Sequence, residues 1–294
     1  MELQMKARTL IKTFSGIDTA DGDGVKLTRI IGSPQLNMLD PFLLLDCFES
    51  DQAEDYIGGF PEHPHRGFET VTYLLDGKMR HKDNAGHEGV IEPGGVQWMT
   101  AGRGILHSEM PEQKDGLLRG FQLWVNLPRS AKMTAPRYQE FAPETIAVEQ
   151  LKNGGRVKVI AGKTDQGTIG PVKNDYVFPT YMDIILPPGS SFNQGITKGH
   201  NAFIYLLEGE VLIKGESNSN SVLTSNGAQT LTAKKLGILS DGEQVNITAT
   251  KQGSRFLLIA GKPLNEPVAR GGPFVMNSQA EIQQAFIDYQ GGLF

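Results

Sequence analysis

From Thr70 to Pro263 the chain is cut into short apolar or alternating runs, each closed by Gly, Pro or Asp: TVTYLLDG, VQWMTAG, GFQLWVNLP, RVKVIAG, YMDIILPPG, NAFIYLLEGEVLIKG and RFLLIAGKP. Most of these runs are shorter than a globular helix. Turn residues at this spacing point to an all-β sandwich or barrel. The 35 glycines and 16 prolines supply the turns. One segment near the end has helical period instead, NSQAEIQQAFIDYQGG. Ser278 and Glu281 form a capping box there, Ile282, Ala285, Phe286 and Tyr289 share a face, and Gly291 suits the stop. A weaker helical turn is expected in SAKMTAPRYQEF.

A near-repeat runs through the strands. Tyr73-Leu74-Leu75-Asp76-Gly77 returns 132 residues later as Tyr205-Leu206-Leu207-Glu208-Gly209. Gly104-Ile105-Leu106 returns at an offset of 133 as Gly237-Ile238-Leu239. Two matches at nearly one offset predict two copies of one β-barrel. The expected division is a first barrel over residues 1–130, a connecting region with its own short strands over 131–175, and a second barrel over 176–294 that ends in the helix.

The composition narrows the function classes. Net charge is −5 with the charges interspersed, and no basic run appears, which disfavours direct nucleic-acid binding. The single cysteine, Cys47, cannot form an intrachain disulfide and fits a reducing compartment. MLDPFLLLDCF is too short and too charged to span a membrane, and the first residues lack a signal-peptide pattern. The expected location is cytoplasmic. No phosphate-binding loop, dinucleotide glycine fingerprint or cysteine pair for structural zinc occurs.

The chemistry lies in the histidines. His63 and His65, in FPEHPHRGFETVTYLLDG, are spaced i, i+2, so in a strand both project to one face. His107 and Glu109, in GRGILHSEMP, form a second such pair. Two pairs on two strands can converge on one cation, and three imidazoles with one carboxylate suit Fe, Ni, Cu or Zn while leaving open positions. On the repeat offsets the four fall opposite Gly195, Thr197, Ser240 and Gly242, so the framework recurs without the donors. Glu69, four residues after His65, is a candidate fifth ligand or a catalytic base behind the ligands, or else only satisfies a buried polar group. Arg66 reads either as a partner for an anion or as a surface residue. Gln122 and Trp124 share one face of their strand. His81 and His87, in RHKDNAGHEG, read as solvated, and His200 carries no assignment.

The segments HPHRGFETVTYLL, QWMTAGRGILHSEMP, GFQLWVNLP, IAGKTDQGTIGPV and PVARGGPFVMNSQAEI together resemble the pirin family of the cupin superfamily, from about residue 20 to the C-terminus. The resemblance implies a bicupin with a metal in the N-terminal barrel only, Fe2+ foremost, with Ni, Mn, Cu or Zn as alternatives. It places the ligands on His63, His65, His107 and Glu109. The general cupin pattern would use Glu69, whereas pirins use Glu109. The implied activity is a quercetin 2,3-dioxygenase type of ring opening, with a flavonol or similar enolic molecule and O2 as partners. Animal members are described as nuclear coregulators. The alternative is therefore an iron-binding regulatory protein that engages a protein partner without turnover.

Overall fold

The computed structural model describes residues 5–215 and 227–294. Most of the chain is antiparallel strand, and the one α-helix among the described residues is Gln279–Gln290. Two compact units form. One comprises Ile17–Thr145 with Leu264–Phe294, and the other Met1–Gly16 with Ile146–Pro263. Each is a cupin-type barrel, so the architecture is the bicupin expected.

The terminal segments join barrels other than those their place in the chain suggests. Strand Leu10–Ser15 pairs with Lys235–Leu239 (Leu10 with Leu239, Phe14 with Leu236) and belongs to the second barrel. The helix belongs to the first barrel, where Ile282 and Ala285 pack on Ala269, Phe274 and Met276. The boundaries at 130 and 176 therefore fail, and the connecting region is divided at Thr145. Its strands Val148–Gln150 and Arg156–Ala161 extend the second sheet through Thr180–Leu186. Strand pairing across more than 200 residues leaves no local mark in a sequence.

The helix start is as read. Ser278 Oγ accepts from Glu281 N–H, and the Glu281 carboxylate accepts from Asn277 N–H. The weak turn at SAKMTAPRYQEF is a 3-10 turn, Arg129–Ala131, followed by strand Arg137–Phe141.

The first barrel has two sheets. Four strands run in the order Phe60–His65, Ile105–Pro111, Met79–Asp83, Glu88–Ile91. Seven run in the order Arg137–Phe141, Val96–Thr100, Phe68–Asp76, Leu118–Asn126, Phe42–Ser50, Val25–Ile31, Ile17–Asp21.

Sheet neighbours correct the repeat. Tyr73 pairs with Val96 and Phe121, and Tyr205 pairs with Leu236 and Leu257. The counterpart of Gly237-Ile238-Leu239 is thus Gln97-Trp98-Met99, not Gly104-Ile105-Leu106. The same logic carries into the barrel interiors. His63 pairs with His107, which pairs with Asp83; Phe192 pairs with Ile247, which pairs with Ile213. Glu109 pairs with His81, and Ala249 with Val211. On the corresponding strands the second barrel carries Phe192, Ile247, Ala249, Val211 and Ile213. All five lie in its apolar core.

His81 is not solvated. In Met79–Asp83 alternate residues turn inward, so His81 is buried with Met79 and Asp83, while Lys82 is exposed. His87 keeps the exposed side of that hairpin.

The turn after His65 is fixed by packing. Gly67 has φ +89°, and a Cβ there would lie 2.0 Å from Val275 O. Buried Lys132 closes the same corner, donating to Gly67 O at 2.7 Å, Asn126 Oδ1 at 2.8 Å and Val275 O at 2.9 Å. Burial lowers its ammonium pKa from 10.5 to about 8. Lys132→Met strands three buried acceptors and is expected to cost about 3 kcal/mol. Between about pH 8 and 10.5 the unfolded chain holds a proton that the folded chain has released, so stability rises with pH in that window. Denaturant unfolding at pH 7.5 and pH 10 is expected to show the wild-type advantage over Lys132→Met widening with pH. A difference that narrows contradicts this.

Candidate metal centre

Strand Phe60–His65 projects His63 and His65 to one face, and pairing with Ile105–Pro111 sets His107 directly opposite His63. The imidazole orientations follow from acceptors that can only accept. His63 Nδ1 lies 2.8 Å from Pro61 O, and His65 Nδ1 lies 3.4 Å from Pro273 O, so each Nδ1 carries the hydrogen. Both Nε2 atoms then present lone pairs, and these face each other at 3.0 Å. Buried His107 has no hydrogen-bond partner on either ring nitrogen. The three donor atoms fall within 4.8 Å of one another.

Protonation of His65 or His107 does not relieve this crowding. Burial, and then the neighbouring His63, push His65 down to about 3, and burial holds His107 well below 6.5. Three imidazoles whose donor atoms converge in this way fit a bound cation. Phe68 and Trp124, packed against each other, wall one side of His65, with ring centroids 5.0 and 5.2 Å away.

Glu109 shares the cavity but stands outside the 4.8 Å cluster. Gln122 Nε2 donates to its Oε2 at 3.0 Å, and Thr72 Oγ1 lies 2.6 Å from its Oε1. Thr72 Oγ1 is also 2.6 Å from Gln122 Oε1, so its single proton serves one of the two at a time. Thr72 was not legible beforehand. It becomes so only once the strand Leu118–Asn126 is known to pair with Phe68–Asp76, with Gln122 facing Thr72.

Two residues are not brought to this site. Glu69 lies on the opposite face of its strand from Thr70 and Thr72. It is fully buried and accepts from Thr100 Oγ1 at 2.7 Å. The two-residue period of a strand excludes it from the face that Thr72 and Gln122 share, and its bond to Thr100 fits the reading in which it satisfies a buried polar group. Arg66 is neither on the surface nor in the cavity. Its Nη1 binds Asp288 Oδ2 at 2.6 Å, its Nε donates to Arg103 O, and its guanidinium lies 4.3 Å from the Phe294 ring centroid.

His63 and His65 open on a cavity of about 770 Å³. Leu27, Leu44, Phe48, Phe60 and Trp124 form its apolar wall. Arg29 and Asp46 face each other on adjacent strands and also line it. Arg29 Nε and Nη2 grip the Asp46 carboxylate at 3.0 and 2.7 Å, and Nη2 reaches Asp21 at 2.7 Å. Burial raises Asp46 to about 6 against the pull of Arg29, while Arg29 itself is held more basic than usual.

The family models for Pirin and for the Pirin C-terminal cupin domain match residues 24–125 and 181–294. The chain belongs to the pirin family. It is 50% identical to a pirin-like protein of Caulobacter vibrioides, over 99% of this chain and 100% of the relative. It is 44% identical to a Pseudomonas aeruginosa protein that carries a provisional quercetin 2,3-dioxygenase name, over 97% of this chain and 98% of that one. Among solved structures, quercetin 2,3-dioxygenase of Acinetobacter baumannii superposes with a TM-score of 0.85 at 33% identity, covering 98% of each chain.

The converging nitrogens of this pirin-family chain yield a direct prediction. His65→Ala and His107→Ala are expected to weaken metal binding by at least about tenfold, read by elemental analysis after dialysis. Glu69→Gln is expected to keep wild-type metal content, and a loss equal to that of the histidine variants contradicts the placement of Glu69.

Proposed function

We propose that this chain is a metal-dependent dioxygenase that opens the ring of quercetin or a related flavonol, with His63, His65, His107 and Glu109 holding the metal. The observation that carries the reading is the set of converging imidazoles, two of them, His63 and His65, in the wall of a cavity of about 770 Å³ with a largely apolar lining. That volume suits a small organic ligand. The full-length likeness to proteins named for this activity supports the same reading.

A metal held there, iron foremost, supplies Lewis acidity and redox chemistry toward an enolic oxygen and dioxygen. The chain's own residues do the rest. Trp124, Phe48 and Phe60 pack flat rings and exclude water. Glu109 is positioned to take the enolic hydroxyl proton on its carboxylate, and Gln122 and Thr72 hold that carboxylate in place.

Aerobic assay of iron-loaded protein with quercetin is expected to show ring opening with carbon monoxide release. His63→Ala is expected to lose at least about 100-fold in kcat/KM. Equal turnover in the two proteins overturns the proposal. Gln122→Ala loosens Glu109 and is expected to lower kcat by roughly tenfold with metal content retained.

A further inference from the structure

The cavity wall is unbalanced in charge. Asp21, Asp23, Asp46, Glu62 and Glu109 line it, and among the described residues Arg29 is its one cationic side chain. That guanidinium is already engaged by Asp46 and Asp21. A ligand bearing sulfate, phosphate or carboxylate meets like charge here and no free cationic side chain. A neutral ligand rich in O–H donors meets acceptors instead.

The acceptors are ordered. Thr72, Gln122, Asp46 and Arg29 face one another in turn across four adjacent strands. They form a polar row with steps of about 4.8 Å, the strand spacing. Glu109 hydrogen-bonds at the Thr72 and Gln122 end of this row, and Asp46 stands one step further on. Leu44 and Phe48, two residues either side of Asp46, line the cavity with it and enclose it in apolar surface. Asp46 is only 4% exposed, and its grip on Arg29 uses one lone pair of each oxygen, which leaves acceptor capacity.

We propose that Asp46, held in place by Arg29, is the specificity-determining residue of the cavity, accepting a hydrogen bond from a phenolic hydroxyl one or two strand spacings from the enolic end of the ligand. The preferred ligands are neutral polyhydroxylated aromatics, and conjugates that mask those hydroxyls with an anionic group are rejected. The inference rests on the flavonol reading above and deepens it.

The test uses iron-loaded protein under nitrogen, with calorimetric affinities for three probes. These are 3-hydroxyflavone, which keeps only the enolic hydroxyl and its carbonyl, then quercetin, and a catechol-ring sulfate of quercetin. Wild type is expected to bind quercetin about 10–100-fold more tightly than 3-hydroxyflavone, the worth of a hydrogen bond to a charged acceptor. The sulfate is expected to bind most weakly. Asp46→Asn is expected to erase most of the advantage of quercetin over 3-hydroxyflavone. Equal wild-type affinities for the three probes overturn the inference even if the variant does not fold. So does an advantage that survives in Asp46→Asn. Binding of 3-hydroxyflavone with no gain for quercetin overturns this inference alone, whereas no binding of any flavonol overturns the flavonol reading with it.

Discussion

Two lone pairs facing each other at 3.0 Å set the terms for the first barrel. His63 and His65 commit their Nδ1 hydrogens to backbone carbonyls, which forces both Nε2 atoms inward as acceptors. His107 is buried beside them with neither ring nitrogen partnered, and the three donor atoms converge. Such an arrangement is unfavourable as it stands and favourable around a cation. The rest of the barrel keeps it in place. Gly67 and Lys132 fix the corner after His65, and Arg66 ties the same corner to the C-terminal helix through Asp288.

The second barrel shows the structural alternative. On the corresponding strands it carries Phe192, Ile247, Ala249, Val211 and Ile213, packed in one core. Each large apolar side chain buried there contributes about 1.5–3 kcal/mol. The first barrel forgoes that contribution at its centre in return for a polar interior. One copy of the fold is thus built for stability, and the other carries the donor-rich centre and its cavity.

Much of this is legible in the sequence, and the limits have physical causes. Turn residues closing short runs announce the barrels, and the i, i+2 histidine pairs mark donors on a shared face, because both signals are local. Glu69 misleads because spacing along the chain does not reveal which face of a strand is the inner one; the pairing of Thr72 with Gln122 does. His81 misleads because polar residues in a short strand look the same as a loop until their alternation is set against a partner strand. The match of Gly104-Ile105-Leu106 to Gly237-Ile238-Leu239 fails because the strand before each equivalent turn is the true counterpart. Asp46 and Arg29 are silent because their meaning lies in a cavity assembled from distant strands. The placement of Leu10–Ser15 and of the helix is long-range pairing, which no window of sequence contains.

The central claim is that three imidazole nitrogens share one cation. Protein labelled with 15N at histidine and loaded with diamagnetic Zn2+ reports it directly through imidazole nitrogen shifts. The account predicts that His63 and His65 keep protonated Nδ1 and shift at Nε2 on metal addition, together with one ring nitrogen of His107, at one equivalent of zinc. Shifts confined to other histidines, or unchanged spectra at these three, contradict it.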